Sequence, residues 1–213
     1  RSRAISTNRM KFKKITLMSF TTGGLFHRES VNLTKLYLGL GDWKSVRNKV
    51  VEENLLQART LNTLKRVCSE VVSRLKLLSI GELEFLNQGT HQDQAYLLWI
   101  AVCRRYRFIA DFAVEVLRER FLSLKTDITH EDFDTFFNRK SEWHLALEQI
   151  APATRMKLRQ VLFRILREAD LLTVGNMIHA AMLSPGLLEL ICQGDRNDVL
   201  YFPIVEFDPK GLT

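Results

Sequence analysis

Two short stretches of the chain hold residue types that could do chemistry. Residues 27–30 (His-Arg-Glu-Ser) supply a base, an acid and a hydroxyl, but four consecutive helical positions do not face one another. A nucleophile and its base must lie within hydrogen-bond reach, so this spacing gives no catalytic pair. Residues 130–134 hold a histidine and three carboxylates that could bind a metal, yet acidic residues are equally typical of a helix N-terminus. We therefore predict no catalytic residues, no metal, no cofactor and no small-molecule substrate, and expect that the protein is not an enzyme.

The distribution of the basic residues is more informative. The chain has 213 residues, with 31 basic and 24 acidic side chains and a net charge of +7. Residues 1–14 hold six basic and no acidic side chains, which leaves 25 basic and 24 acidic side chains for the rest. Within that nearly neutral remainder, residues 35–76 carry +5 and residues 126–151 carry −4. Separate bands of charge on a neutral body favour binding to an anionic polymer.

The most basic band contains a pattern of helix, connection and helix over residues 42–78. Apolar residues recur there at steps of three and four, which predicts one amphipathic helix with its apolar stripe at Leu61, Leu64, Val67, Cys68, Val71, Leu75 and Leu78. Thr60 or Asn62 is a candidate cap for that helix. Basic residues around such a turn are typical of proteins that contact a phosphate backbone, although they also form ordinary solvated faces. The candidate nucleic-acid-binding residues are Lys11, Lys13, Lys14, Lys44, Arg47, Lys49, Arg59, Lys65, Arg66, Arg104 and Arg105.

The elements that must position these residues are mainly helical. Periodicity and capping signals predict an all-α protein of about eight or nine helices, with residues 1–14 as a flexible basic arm and residues 15–213 as one domain. Pro152 is expected to break the chain, and Thr154 to open the helix that follows. Residues 171–213 form a candidate C-terminal appendage, with a small hairpin turning at Gly175-Asn176 and a lone strand over residues 199–207.

Two further features bear on where the protein works. The longest apolar run, residues 95–103, has nine residues, about half of a membrane span. The three cysteines show no metal-binding spacing, which favours a reducing compartment. We therefore expect a cytoplasmic protein with no membrane contact.

Several motifs together resemble the BrxA family, a small component of bacterial BREX (bacteriophage exclusion) defence systems. They are SFTTGGLFHRES at residues 19–30, Trp43, ENLLQART at residues 53–60, TLKR at residues 63–66 and the Arg-Leu pair at residues 74–75. The resemblance runs from about Lys11 to the C-terminus. It implies a compact all-α fold similar to that of the NusB antitermination factor, and a protein that binds nucleic acid without catalysis. The leading hypothesis is a sequence-tolerant contact with double-stranded DNA.

Other interpretations of the same features stay open at this point. The protein could be an assembly module that docks on other BREX proteins through an edge at residues 199–207 or through the acidic band at residues 126–151. The NusB-like fold also suggests RNA binding. Gly23-Gly24 either forms a plain turn or leaves backbone N–H groups for a phosphate. Arg28-Glu29 is a candidate ion pair that fixes the first helix against Arg59 or Arg74.

Overall fold

The computed structural model describes Phe20 and residues 23–205, and within these residues the fold is all-α, as predicted. Successive α-helices are numbered α1 to α11 along the described chain. They are α1 His27–Leu40, α2 Trp43–Glu52, α3 Leu61–Leu75, α4 Ile80–Gln88, α5 His91–Arg105, α6 Arg107–Phe112, α7 Glu119–Leu122, α8 His130–Trp143, α9 Leu145–Glu148, α10 Pro152–Glu168 and α11 Pro185–Gln193. A π-helical turn, Ala113–Arg118, joins α6 to α7, and a 3-10 helix, Arg196–Tyr201, follows α11. The number of helices exceeds the prediction because several are pieces of four to six residues.

Side-chain caps begin several of the helices, and they confirm the predicted cap at Thr60. The Thr60 hydroxyl accepts a hydrogen bond from the Thr63 backbone N–H at 3.2 Å. This N–H lies in the first turn of α3, where the helix itself provides no acceptor. A reciprocal capping box joins Ser79 to Glu82 at the start of α4. The prediction for Pro152 was wrong. It is the first residue of α10 rather than a break, because a proline there lacks an N–H that the helix would not use.

Helix α5 is the centre of the core. Every residue from Ala95 to Cys103 is buried, and the Trp99 side chain is fully enclosed. The Trp99 indole N–H donates to the Tyr201 carbonyl oxygen at 3.0 Å, so the 3-10 helix packs directly on α5. The helix ends at Arg105, and Tyr106 leaves the helical conformation before α6 begins. Arg104 and Arg105, the last two residues of this core helix, are thus held on a rigid element.

The C-terminal part differs from the sequence prediction. The predicted hairpin is reduced to an isolated antiparallel bridge between Leu172 and Ile178, with its turn at Asn176 (φ 64°). The predicted strand at residues 199–207 was wrong. Residues 199–201 lie in the 3-10 helix, and Val199 and Phe202 are buried against the core. The apolar residues of this segment serve burial against the core rather than pairing in a sheet, and residues 206–207 lie outside the described part.

Candidate nucleic-acid interface

Helices α2 and α3 form the predicted helix-connection-helix unit. Val46 and Val50 of α2 and Leu64 and Cys68 of α3 are all buried, so the two helices pack through their apolar sides. The Asn54 amide closes the connection, because it accepts from the Ala58 N–H at 3.0 Å and donates to the Ala58 carbonyl oxygen at 3.2 Å. The Asn54 side chain therefore holds the connection closed. This fixes α2 and α3, and the basic residues that they carry, relative to one another.

A cleft of about 450 Å³ between α2 and α3 brings two of the candidate residues together. Arg47 and Lys65 line it, with Asn48, Val51, Glu52, Cys68 and Ser69. The Arg47 Nε is enclosed and makes no hydrogen bond to any described residue. Burial raises the pKa of the Cys68 thiol, which keeps it protonated despite the nearby Arg47. The cleft therefore presents two cations and one carboxylate, Glu52, to solvent.

The solvent side of α3 continues this basic surface. Helical geometry places five polar residues within an arc of about 100° on the side opposite the buried residues. We call this set the α3 outer face: Asn62, Lys65, Arg66, Ser69 and Ser73. All of them are exposed except Ser73, which is half-buried. Sequence reasoning overlooked Ser69 and Ser73 and considered Asn62 only as a cap, although the apolar stripe already implied an opposite face.

The one acidic residue of α3 is turned away from this face. Glu70 accepts a hydrogen bond from the Arg74 Nε at 2.8 Å and a second one from the Tyr106 hydroxyl. Its side chain is 14% exposed and that of Arg74 is 3% exposed. Burial, followed by the charge of Glu70, raises the pKa of Tyr106, so the hydroxyl keeps the proton that it donates. The α3 outer face consequently carries positive charge without an opposing carboxylate of its own helix.

Arg105 lies beside the α3 outer face, whereas its neighbour Arg104 does not. The Arg105 Nε donates to the Ser73 hydroxyl at 3.2 Å, and within the described residues it has no carboxylate partner. Arg104 instead binds the carboxylates of Glu82 and Asp198, each at 2.6 Å. Burial alone would lower the pKa of Arg104, but its hydrogen bonds to Glu82 and Asp198 raise it. Arg104 therefore belongs to an internal ion-pair network and not to the candidate surface.

The remaining candidates fall into three groups. Lys44 and Arg59 are exposed and have no ion-pair partner among residues 23–205. Lys49 lies 4.0 Å from Glu53 and lines a different groove, between α1 and α2. Lys11, Lys13 and Lys14 lie outside the described residues.

The backbone N–H that follows the Gly23-Gly24 turn already binds a carboxylate of the protein itself, that of Glu168. The Leu25 N–H donates to Glu168 Oε2 at 2.5 Å, and the Arg74 Nη1 donates to the Gly24 carbonyl oxygen at 2.8 Å. A carboxylate from α10 thus occupies the place suggested for a phosphate. The candidate ion pair of Arg28-Glu29, set against Arg59 or Arg74, is not formed among the described residues. The Arg74 guanidinium is held by Glu70 instead.

Three of the six acidic side chains in the band at residues 126–151 form ion pairs within the fold, and Asp127 is one of them, with Arg120. Asp134 pairs with Arg155 at 2.8 Å and with Arg159 at 2.6 Å. Asp132 pairs with Arg120 at 2.6 Å. These contacts also engage Arg155 and Arg159 of α10, whereas three acidic side chains of the band have no ion pair among the described residues: Glu131, Glu142 and Glu148. The acidic band is therefore not available as a whole for a partner.

Two classes of site are not found in the described part of the chain. It holds no group of three or more histidine, cysteine or acidic side chains that could bind a metal ion. Across residues 23–205, no helix has both the length and the apolar character needed to cross a membrane. The His130 region is instead a helix start, where Thr129 and Asp132 form a capping box.

Comparisons with known proteins agree with the motifs. Residues 17–194 match the family model described as BrxA. A protein of Bacillus cereus named BREX protein BrxA is 30% identical over 127 residues, which are 60% of this chain and 64% of that protein. An Escherichia coli protein of the same name is 26% identical over 147 residues, or 69% of each chain.

A solved structure has the same fold. It is an uncharacterized protein from Magnetospirillum magneticum, with a TM-score of 0.76 and 19% identity, covering 88% of this chain and 97% of that one. At this identity the likeness concerns the fold alone. The family match, in contrast, covers most of the chain, and the chain belongs to the BrxA family.

Proposed function

We propose that this chain is a double-stranded DNA-binding component of a bacterial BREX phage-defence system. The observation that carries the proposal is the α3 outer face, an exposed helix surface with adjacent cations and no carboxylate, continued by the α2–α3 cleft and Arg105. Phosphate oxygens bind cations and neutral hydroxyl and amide donors, and these are the groups that the surface presents. The proposed contact residues are Lys44, Arg47, Arg59, Lys65, Arg66 and Arg105.

The contact is mainly electrostatic and therefore tolerant of sequence. Four of the six residues carry guanidinium groups, which suit phosphate geometry but also bind bases when they enter a groove. Lys11, Lys13 and Lys14, which lie outside the described residues, add cations of the same chemistry. Residues that contact phosphates position a protein on DNA without reading its sequence.

A salt titration with a duplex is the first test. If six phosphates are neutralised, the logarithm of the binding constant should fall with the logarithm of salt concentration at a slope of about −5. Single-stranded DNA and structured RNA are titrated in parallel. Binding that is independent of salt, or a clear preference for RNA, would contradict the proposal.

A double variant with two reversed charges tests where the duplex binds. Lys65→Glu with Arg66→Glu should weaken binding to unrelated duplexes about equally, because the lost contacts are to phosphates. The matched control is Lys157→Glu with Arg164→Glu, two exposed residues of α10 that change the net charge by the same amount. Equal affinity of the two double variants would show that net charge alone, and not this face, governs binding.

Glu52 offers a test of opposite sign. It is exposed and lines the cleft with Arg47 and Lys65, where its carboxylate repels a phosphate. Glu52→Gln should strengthen duplex binding several-fold at low salt, and less at high salt because the repulsion is screened. The control is Glu84→Gln, an exposed glutamate on α4. A weaker complex for Glu52→Gln would place the DNA elsewhere.

A further inference from the structure

An apolar groove between α1 and α2 is unrelated to the DNA surface. It has a volume of about 480 Å³ and is lined by Asn32, Leu33, Lys35, Leu36, Gly39, Leu40, Lys49 and Leu55. Leu40 is 45% exposed and Leu55 is 36% exposed, so apolar surface remains in contact with water. Lys35 and Lys49 contribute positive charge to the lining. Such a groove fits an apolar side chain with acidic neighbours.

The chain itself carries such a side chain. Trp143, the last residue of α8, is 82% exposed. Glu142 precedes it and Glu148 follows five residues later, and both are exposed without an ion pair among the described residues. An exposed tryptophan is costly in water and is the residue type most enriched at the centres of protein interfaces.

We propose that Trp143 of one copy inserts into the α1–α2 groove of a second copy. The indole would contact Leu36, Leu40 and Leu55, and Glu142 and Glu148 would face Lys35 and Lys49. The groove is large enough for one aromatic side chain, and its charge is complementary to that of the Trp143 region. Because the two surfaces differ, the contact is head-to-tail and leaves one free groove and one free tryptophan at the ends of each assembly.

The proposed contact buries little surface, so its affinity should be low. Interfaces well below about 1,200 Å² are weak or transient, so association should appear only at high protein concentration. It is also independent of the proposed DNA surface. Lys49 and Arg47 are two residues apart on α2, so their side chains point about 160° apart, toward opposite sides of that helix. Failure of DNA binding would leave this proposal intact, and the reverse also holds.

Sedimentation velocity of the full chain without DNA tests the contact. Over about 1 µM to about 1 mM, a range suited to weak contacts, the average mass of the wild type should rise with concentration. Trp143→Ala should remain monomeric at the same concentrations. The control Val174→Ala removes another apolar side chain, 92% exposed, and should associate like the wild type. A wild type that is monomeric throughout, or association that survives in Trp143→Ala, would overturn the proposal.

A charge exchange identifies the two surfaces. Lys35→Glu with Lys49→Glu makes the groove acidic, and Glu142→Lys with Glu148→Lys makes the Trp143 region basic. Each double variant alone should stay monomeric, because like charges then meet. Their equimolar mixture should associate again, since each groove then meets a region of opposite charge. Thermal unfolding confirms that both variants are folded, and a mixture that stays monomeric would show that these surfaces do not pair.

Discussion

The Glu70 carboxylate accepts a hydrogen bond from the Arg74 guanidinium at 2.8 Å, and this contact clears the α3 outer face of negative charge. Arg74 is 2% exposed and also binds the Gly24 carbonyl oxygen, so it joins α3 to the start of α1. Its guanidinium lies over the Phe26 ring at 5.4 Å and the Tyr106 ring at 5.8 Å. One buried arginine thus serves both the packing of α1 and the electrostatics of the proposed DNA surface.

Removing the Tyr106 hydroxyl should loosen Glu70. We expect Tyr106→Phe to lower the free energy of unfolding by roughly 1–3 kcal/mol, because a buried carboxylate loses one of its donors. Duplex affinity should fall slightly, since Glu70 is then freer to approach Arg66. Chemical denaturation and a DNA titration check the two effects. In the control, Tyr37→Phe, the hydroxyl removed makes no hydrogen bond within the described residues, and stability should change little.

The adjacent arginines 104 and 105 should have opposite phenotypes. Arg104→Met leaves the buried carboxylate of Asp198 without a cation and that of Glu82 with only the Ser79 N–H, and it should cost roughly 3–5 kcal/mol of stability. Arg105→Ala should change stability by less than about 1 kcal/mol, but weaken duplex binding and reduce the salt slope by about 1. Denaturation midpoints and salt titrations of both variants separate the two roles. Loss of DNA affinity in a folded Arg104→Met variant, with Arg105→Ala unaffected, would reverse our assignment.

Two glycines of the N-terminal region should respond in opposite ways to alanine. A Cβ at Gly24 would lie 2.2 Å from Glu168 Oε2, so that carboxylate must move off the Leu25 N–H. We expect Gly24→Ala to lower the free energy of unfolding by about 1–2 kcal/mol. Gly39 lies in α1 with nothing within 4 Å of an added Cβ, and Gly39→Ala should stabilise by about 0.5–1 kcal/mol. Thermal unfolding measures both, and a stabilising Gly24→Ala would contradict the proposed clamp.

The His27–His91 pair should make stability fall in mild acid. The two rings stack with centroids 4.2 Å apart, and burial, followed by the charge of His91, lowers the pKa of His27 below its ordinary value of 6.5. Below pH 6.5 the unfolded chain therefore binds a proton more readily than the folded one, and stability declines as the pH falls through the lowered pKa.

The measurement is the free energy of unfolding between about pH 7.5 and pH 5. His27→Gln should flatten the decline relative to the wild type. His144→Gln, which changes an exposed histidine, should leave the slope as it is. Equal slopes for the wild type and His27→Gln would exclude this pair as the source.

The sequence was sufficient for the local structure around the site. The periodicity from Leu61 to Leu78 predicted α3, and Thr60 is its cap. It also placed Lys65 and Arg66 on the exposed side. The prediction of a strand at residues 199–207 was wrong. The buried Val199 and Phe202 lie three residues apart, which is the repeat of a 3-10 turn, whereas one face of a strand repeats every two residues.

What the sequence by itself determined is the all-α class, most helix starts and the BrxA resemblance, because caps and apolar periodicity act over a few residues. Tertiary structure decided which charged side chains are paired within the protein and which remain available to a binding partner. Arg104 and Arg105 are indistinguishable in sequence, yet Glu82 and Asp198, far along the chain, bind one and leave the other at Ser73. The Leu25 N–H was likewise assigned to Glu168 by packing of α10 on the N-terminal turn. Ion pairs between distant residues depend on how helices pack, and no local pattern encodes that.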